Sequence, residues 1–174
     1  MSKVFIMSDL HLGHRNILKF RTEFSSIEEH DNTILANILD CVSKRDTLWV
    51  LGDMLFDSSH YGMVEKISSS VNRLNLVLGN HCTDNSRRRD LVKQMVEDCV
   101  VSSVHGLVSY KGCWLSHAPI HPDELRGRFN VYGHTHRYRI NDSRYYPVSC
   151  EHLNYRPIEF MDIKNQLETL NEQS

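Results

Sequence analysis

Apolar positions along this chain alternate between short continuous runs and longer stretches at helical spacing, the pattern of βαβ units around a largely buried sheet. Val4 to Met7 predicts a first strand. Ser26 opens a Ser-x-x-Glu capping box closed by Glu29, after which Ile27, Ile34, Leu35, Ile38, Leu39 and Val42 keep helical spacing. A second strand follows over Leu48 to Leu51, and Tyr61, Val64, Ile67 and Val71 mark a second helix. Leu74 to Leu78 is nearly continuously apolar, interrupted at Asn75 alone, as expected of a strand covered on both faces. A third helix is expected to start near Asp84, with Leu91, Val92, Met95, Val96 and Cys99 as its apolar stripe. From Val100 the rhythm shortens, and the His105-Gly106 and Lys111-Gly112 pairs predict antiparallel hairpins. Further strands are expected over 113–116, 130–132, 146–149 and 158–161, and the polar tail, 163–174, is expected to fray in part.

The chain has 174 residues, which predicts one domain over 1–174 with α/β architecture. Its 40% hydrophobic and 24% charged residues exclude a disordered or collagenous chain. Lys and Arg number 20 against 22 Asp and Glu, so no global basic field exists and any polyanion must be held locally. There is no apolar run of about 18 residues to span a membrane. Five cysteines without zinc-finger spacing, behind a start that lacks a signal-peptide pattern, predict a reduced, cytoplasmic protein. What remains unusual is eleven histidines.

The polar residues fall at strand ends. The first strand runs into Ser8-Asp9-Leu10-His11, the second into Gly52-Asp53, and the third into Gly79-Asn80-His81. Later strands run into Ser116-His117 and Gly133-His134-Thr135-His136. In open α/β sheets ligands gather at the carboxyl ends of strands, so five segments far apart in sequence can converge. In Asp9-x-His11 and His134-x-His136 the two-residue period of extended backbone puts both side chains on one face. Taken singly, each segment reads as a surface turn, a hairpin or a helix cap. Independent turns have no reason to choose acid, amide and imidazole repeatedly in register with strand ends, so the set points to a metal site. Carboxylate, imidazole and amide oxygen without thiolate suit Mn, Fe, Zn or Ni.

This ordered set resembles the calcineurin-like metallophosphoesterase family. The resemblance implies a four-layer αββα sandwich of mixed sheets with helices on the outer faces. It implies that Asp9, His11, Asp53 and His136 hold one divalent ion, Mn before Fe, Zn or Ni. Asp53, Asn80, His117 and His134 would hold a second, with Asp53 bridging. Two divalent ions bring +4 against -2 from Asp9 and Asp53, a local anion trap on a chain of net charge -2. The implied activity is phosphoester hydrolysis by a metal-bound hydroxide, with His81 touching substrate and protonating the leaving alkoxide.

The chain departs from the family pattern beside His81. Cys82 stands where many relatives carry an acid, and Asp57 lies four positions after Asp53 instead of three. Asp57 is the first candidate to orient His81 and Asp84 the second. Asn80, His14 and Arg15 are candidate substrate contacts, followed by His121, and Arg87 to Arg89 with Arg126 and Arg128 could rim the site. His30, His60, His105 and His152 have no strand-end partner and are read as structural. A chain this short leaves little room for a capping domain. That favours a phosphodiester, whether nucleic acid, cyclic nucleotide or cyclic phosphate, over a phosphomonoester of a nucleotide or phosphoprotein. A non-catalytic metal-binding scaffold would leave a full donor set unused. No apolar face identifies a partner chain, and oligomeric state stays open.

Overall fold

Side-chain alternation along the strands sorts the apolar residues into layers. In the computed structural model, which describes residues 1–172, the chain runs β1 (Val4–Met7), α1 (Ile27–Cys41), β2 (Thr47–Leu51), α2 (Tyr61–Ser70), β3 (Arg73–Val77), α3 (Asn80–Thr83) and α4 (Ser86–Glu97). It continues through β4 (Ser103–His105), β5 (Val108–Tyr110), β6 (Cys113–Ser116), β7 (Phe129–Tyr132), β8 (Tyr145–Pro147), β9 (Ile158–Glu159) and α5 (Phe160–Glu172). One mixed sheet has the order β4-β3-β2-β1-β9, parallel except for β9, and a second has the order β5-β6-β7-β8.

Phe5, Met7, Leu48, Val50, Leu74 and Leu76 face α1, α2 and α4, while the alternate residues Ile6, Trp49, Leu51 and Val77 face the second sheet. There they meet Cys113, Leu115, Val131 and Tyr146, together with Phe160, Ile163 and Leu167 of α5. The result is an α/β sandwich of two mixed sheets flanked by helices. Its fourth layer is thin: the outer face of the second sheet, with Trp114, Tyr132 and Tyr145, is covered by Leu125 and Ile120 near the short turn Pro122–Glu124.

Several local expectations change. Within the second sheet, β5 and β6 pair antiparallel, while β6, β7 and β8 are parallel. The connections 117–128 and 133–144 have the dozen or so residues that a parallel return needs. β4 joins the first sheet beside β3 instead of forming a hairpin. The helix expected from Asp84 begins at Ser86, where Asn85 Oδ1 accepts the Arg88 N–H at 3.0 Å, and α3 is a separate turn before it. Of the segment expected to fray, 163–172 is helical, because Phe160, Ile163 and Leu167 return to one buried face, while 173–174 lie outside the described residues. That helix also shortens the strand expected over 158–161 to Ile158–Glu159. The α1 start lies at Ser26 as expected, which accepts the Glu29 N–H at 3.1 Å, but Glu29 Oε2 reaches back to Ser25 N–H at 2.8 Å instead of closing the box on Ser26. Among the described residues no helix is long and apolar enough to cross a membrane.

Leu76 is fully buried in the central strand β3. Leu76→Ala is expected to lower unfolding free energy by about 2–5 kcal/mol and Leu76→Met by less than about 1.5 kcal/mol in urea titrations. Equal costs would contradict this packing.

Candidate metal centre

Because β1, β2 and β3 are parallel, their carboxyl ends lie along one edge of the first sheet, and the ends of β6 and β7 meet them there. Asp9 N–H donates to the Gly52 carbonyl at 3.3 Å, His11 N–H to the Asp53 carbonyl at 2.8 Å, and His134 N–H to Asp9 Oδ2 at 2.9 Å. Five of the strand-end residues adopt left-handed backbone: Asp9 (φ 61°), His11 (52°), Asp53 (48°), His134 (68°) and His136 (50°). Such values are uncommon outside glycine and concentrate where a site overrides local preference. Two glycines make the close approach feasible. A Cβ on Gly79 would stand 2.1 Å from Asp53 Oδ1, and one on Gly133 would stand 2.0 Å from Ser8 Oγ and 2.6 Å from Asp9 Oδ2.

The donor atoms fit a cation better than they fit one another. Asp9, His11 and His136 offer one set of closely spaced ligand atoms and Asp9, Asp53 and His117 a second. Asp9 Oδ1 and both ring nitrogens of His11 are buried without a hydrogen-bond partner, which native proteins seldom tolerate. His117 Nδ1–H donates to the Leu51 carbonyl at 2.8 Å, so the lone pair of the neutral ring is on Nε2. That nitrogen faces Asn80 Oδ1 at 2.9 Å, His134 Nδ1 at 3.2 Å and Asp53 Oδ2 at 3.4 Å. One proton could serve only one of these contacts, whereas a cation would satisfy them together. Burial raises the Asp53 carboxyl above its usual range, and the nearby Asp9 charge adds to this against His117. Burial, reinforced by Arg21 and neighbouring imidazoles, holds His11 well below the usual histidine range.

The surrounding residues orient these groups. His136 Nδ1–H donates to Glu151 Oε1 at 2.9 Å, leaving its Nε2 for the site. Glu151 also accepts Arg21 Nε at 2.8 Å. Burial opposes the charge on Glu151, but His136 and Arg21 prevail and hold its carboxyl down at about 2. Arg21 is 0% exposed and also donates to the Asp9 carbonyl at 2.7 Å and to His30 Nε2 at 2.7 Å. His30 Nδ1–H in turn donates to Asp31, whose Oδ2 accepts Gly13 N–H at 2.8 Å. The loop after β1 is thus tied to α1 through buried polar groups.

His81 lies at the rim, and its Nδ1–H donates to Asp84 Oδ2 at 3.0 Å. Asp57 does not orient it: Asp57 Oδ1 accepts from Ser59 N and Oγ at 2.9 and 2.6 Å and caps the turn Ser58–His60. Asp84 takes the role because a single helical turn brings residues three apart together. His14 stacks on Phe56 at 3.5 Å between ring centroids, and burial, with His81 and Arg88 adding, pushes it down to about 4. Arg15 is exposed and lines a neighbouring hollow with Asp57 and His60, away from the donors. Arg88 lies over the Phe56 ring, 3.2 Å from its centroid, and donates to Asp84. Of the other proposed rim groups, Arg89 donates to the Thr83 carbonyl at 2.9 Å, Arg126 pairs with Glu124, Arg128 lies over Trp114, and Arg87 lines a separate hollow with Asp57 and Asn85; His121, a proposed substrate contact, caps the turn after it. His60, His105 and His152 make Asp31, Ser103 and Tyr138 contacts respectively.

Sequence reasoning missed Arg21, Glu151 and the His30–Asp31 pair as supports of the centre. Their partnerships span up to 130 positions, and no local spacing announces them. Phe56, against which His14 and Arg88 lie, carried no signal beyond being aromatic.

No family model matches the chain. It is 32% identical to the Gene 66 protein of Mycobacterium phage L5, with 78% of each chain covered. An uncharacterized protein of Methanocaldococcus jannaschii is 24% identical over 91% of this chain and 87% of its own length. A crystal structure of a protein of unknown function from Aquifex aeolicus superposes with a TM-score of 0.73 at 22% identity, covering 95% of this chain and 99% of that one. This last likeness shows the fold.

Arg21→Ala leaves the Glu151 carboxylate buried without its guanidinium and is expected to cost about 3–5 kcal/mol. The double variant Arg21→Met with Glu151→Leu is expected to recover part of that loss in urea unfolding. A single variant costing less than about 1 kcal/mol would contradict the support assigned to this pair.

Proposed function

We propose that this chain, which belongs to the same family as the Gene 66 protein of Mycobacterium phage L5, holds two divalent metal ions and hydrolyses phosphoesters, diesters before monoesters. One observation carries the reading: Asp9 Oδ1 and both His11 ring nitrogens are buried and unpartnered beside converging Asp53, Asn80, His117 and His134 donors. Asp9, His11, Asp53 and His136 would hold one ion and Asp53, Asn80, His117 and His134 the other. The oxygen and nitrogen donor set suits Mn, with Fe, Zn or Ni as substitutes. Two such ions, when bound, supply an acidified water as nucleophile and positive charge for the phosphoryl oxygens.

The rest of the work falls to the chain. His81, in its form protonated at both ring nitrogens, is the proton donor to the departing alkoxide: Nδ1–H is held by Asp84 at 3.0 Å and Nε2–H points away from that anchor. His14, neutral near pH 7, offers the ester a hydrogen bond instead of a charge. Charge at the rim supports the diester. The cavity beside His11, His81 and His136 is lined by one guanidinium, Arg137, and that group is engaged by Glu23 at 3.1 Å. A monoester dianion would need more cationic contact than this wall offers, whereas a diester carries one charge.

With Mn²⁺, bis(4-nitrophenyl) phosphate is expected to be hydrolysed in preference to 4-nitrophenyl phosphate. Asp53→Asn is expected to lose both bound metal and hydrolysis. His81→Ala is expected to keep its metal while kcat falls about 10²–10⁴-fold. Equal loss of metal in both variants, or no Mn²⁺-dependent hydrolysis in the unaltered protein, would contradict the proposal.

A further inference from the structure

The histidine wall of the centre opens into a cavity of about 410 Å³, within the range of small-ligand sites. His11, His14, His81 and His136 form its inner end, and Ile17, Phe20 and Tyr138 contribute its apolar sides. Phe20 is 70% and Tyr138 67% exposed. Isolated exposed aromatics are ordinary, but two that line one concavity beside a candidate reaction centre indicate a surface kept bare for an occupant. The two come from separate parts of the chain, Phe20 from the end of the turn after β1 and Tyr138 from the loop after β7.

These walls are fastened together. Arg137 Nη2 donates to the Phe20 carbonyl at 3.3 Å and to Glu23 at 3.1 Å. Glu23 also accepts the Tyr155 hydroxyl. On the other side Thr135 Oγ1 donates to the Tyr138 carbonyl at 2.8 Å, and a His152 ring N–H donates to the same oxygen at 3.3 Å. A cavity clasped in this way is formed before its ligand arrives, which lowers the ordering cost of binding.

We infer that this cavity takes the nucleoside end of the phosphate ester, with the base against the Phe20 and Tyr138 rings and the phosphate at the histidine end. The inference rests on the phosphoesterase reading for its substrate, and the cavity supplies the specificity. Its occupant must be joined to phosphate, because the inner end of the cavity is the candidate centre. The occupant must also be flat and uncharged, because the sides are aromatic and aliphatic and the single guanidinium is already engaged by Glu23 and the Phe20 carbonyl. Every nucleobase presents such a face, and aromatic rings bind it without demanding a particular sequence.

The test compares adenosine 5′-monophosphate with ribose 5-phosphate by calorimetry on the full Mn²⁺-loaded chain. The two probes share the phosphate and the sugar, so the ratio of their affinities reports the base alone. The nucleotide is expected to bind about tenfold tighter or more. Phe20→Ala and Tyr138→Ala should each reduce that ratio and the double variant should bring it near one, with unchanged circular dichroism and thermal midpoint. Equal affinities in the unaltered protein, or a ratio that survives the double variant, would overturn the inference. A base preference in a chain that hydrolyses no phosphoester would uphold the subsite and overturn the hydrolase reading alone.

Discussion

Two carboxylates, Asp9 and Asp53, are removed from water within one donor cluster, and burial together with the Asp9 charge raises the cost of charging Asp53. A buried ion carries a penalty of several kcal/mol unless countercharge and hydrogen bonds offset it. Asp9 Oδ2 accepts from His134 N–H and Ser149 Oγ and Asp53 Oδ1 from His81 N–H, but Asp9 Oδ1 is bare, His11 has two bare ring nitrogens, and His117 Nε2 faces the oxygens of Asn80 and Asp53. The arrangement therefore concentrates negative charge and electron pairs where only cations would balance them. Everything else about the site is consistent with this single electrostatic demand.

The fold meets that demand through topology. Parallel strands place their carboxyl ends on one edge, and stacking a second sheet with its own parallel pair adds two more ends at the same place. Left-handed turns at Asp9, His11, Asp53, His134 and His136 then redirect the backbone sharply enough for the side chains to meet. Such turns persist because both sheets and the Arg21–Glu151 pair hold them from behind. Stability of the core and geometry of the centre are thus one problem, since the loops that carry the donors have little regular structure of their own.

Much of this was legible in the order of residues. Apolar runs, continuous in β1 and β2 and broken in β3 by Asn75, marked these strands within a residue of their observed limits, because strands covered on both faces admit few polar side chains. The strand-end carboxylates, imidazoles and Asn80 stood out because the chemistry recurred in register with those runs. Strand direction in the second sheet was not legible from residue type. Parallel and antiparallel edges use the same side chains, and only the length of the 117–128 and 133–144 connections distinguished them. The α5 helix was hidden by its polar exposed face, although Phe160, Ile163 and Leu167 kept a helical period. Arg21 and Glu151 were invisible because a buried ion pair between distant segments is a property of the fold. The choice of Asp84 over Asp57 beside His81 depended on where α3 turns, which spacing from Asp53 does not report.

On the proposed reading, a chain of formal net charge -2 would attract a phosphate ester because the positive field would be local and would arrive with the ions. The most direct measurement is anomalous diffraction at the manganese edge from crystals grown with Mn²⁺. The account predicts two peaks, with the Asp53 carboxylate between them and Asp9, His11 and His136 on one side, Asn80, His117 and His134 on the other. Manganese bound elsewhere on the surface, with these seven side chains gathered around no peak, would contradict it.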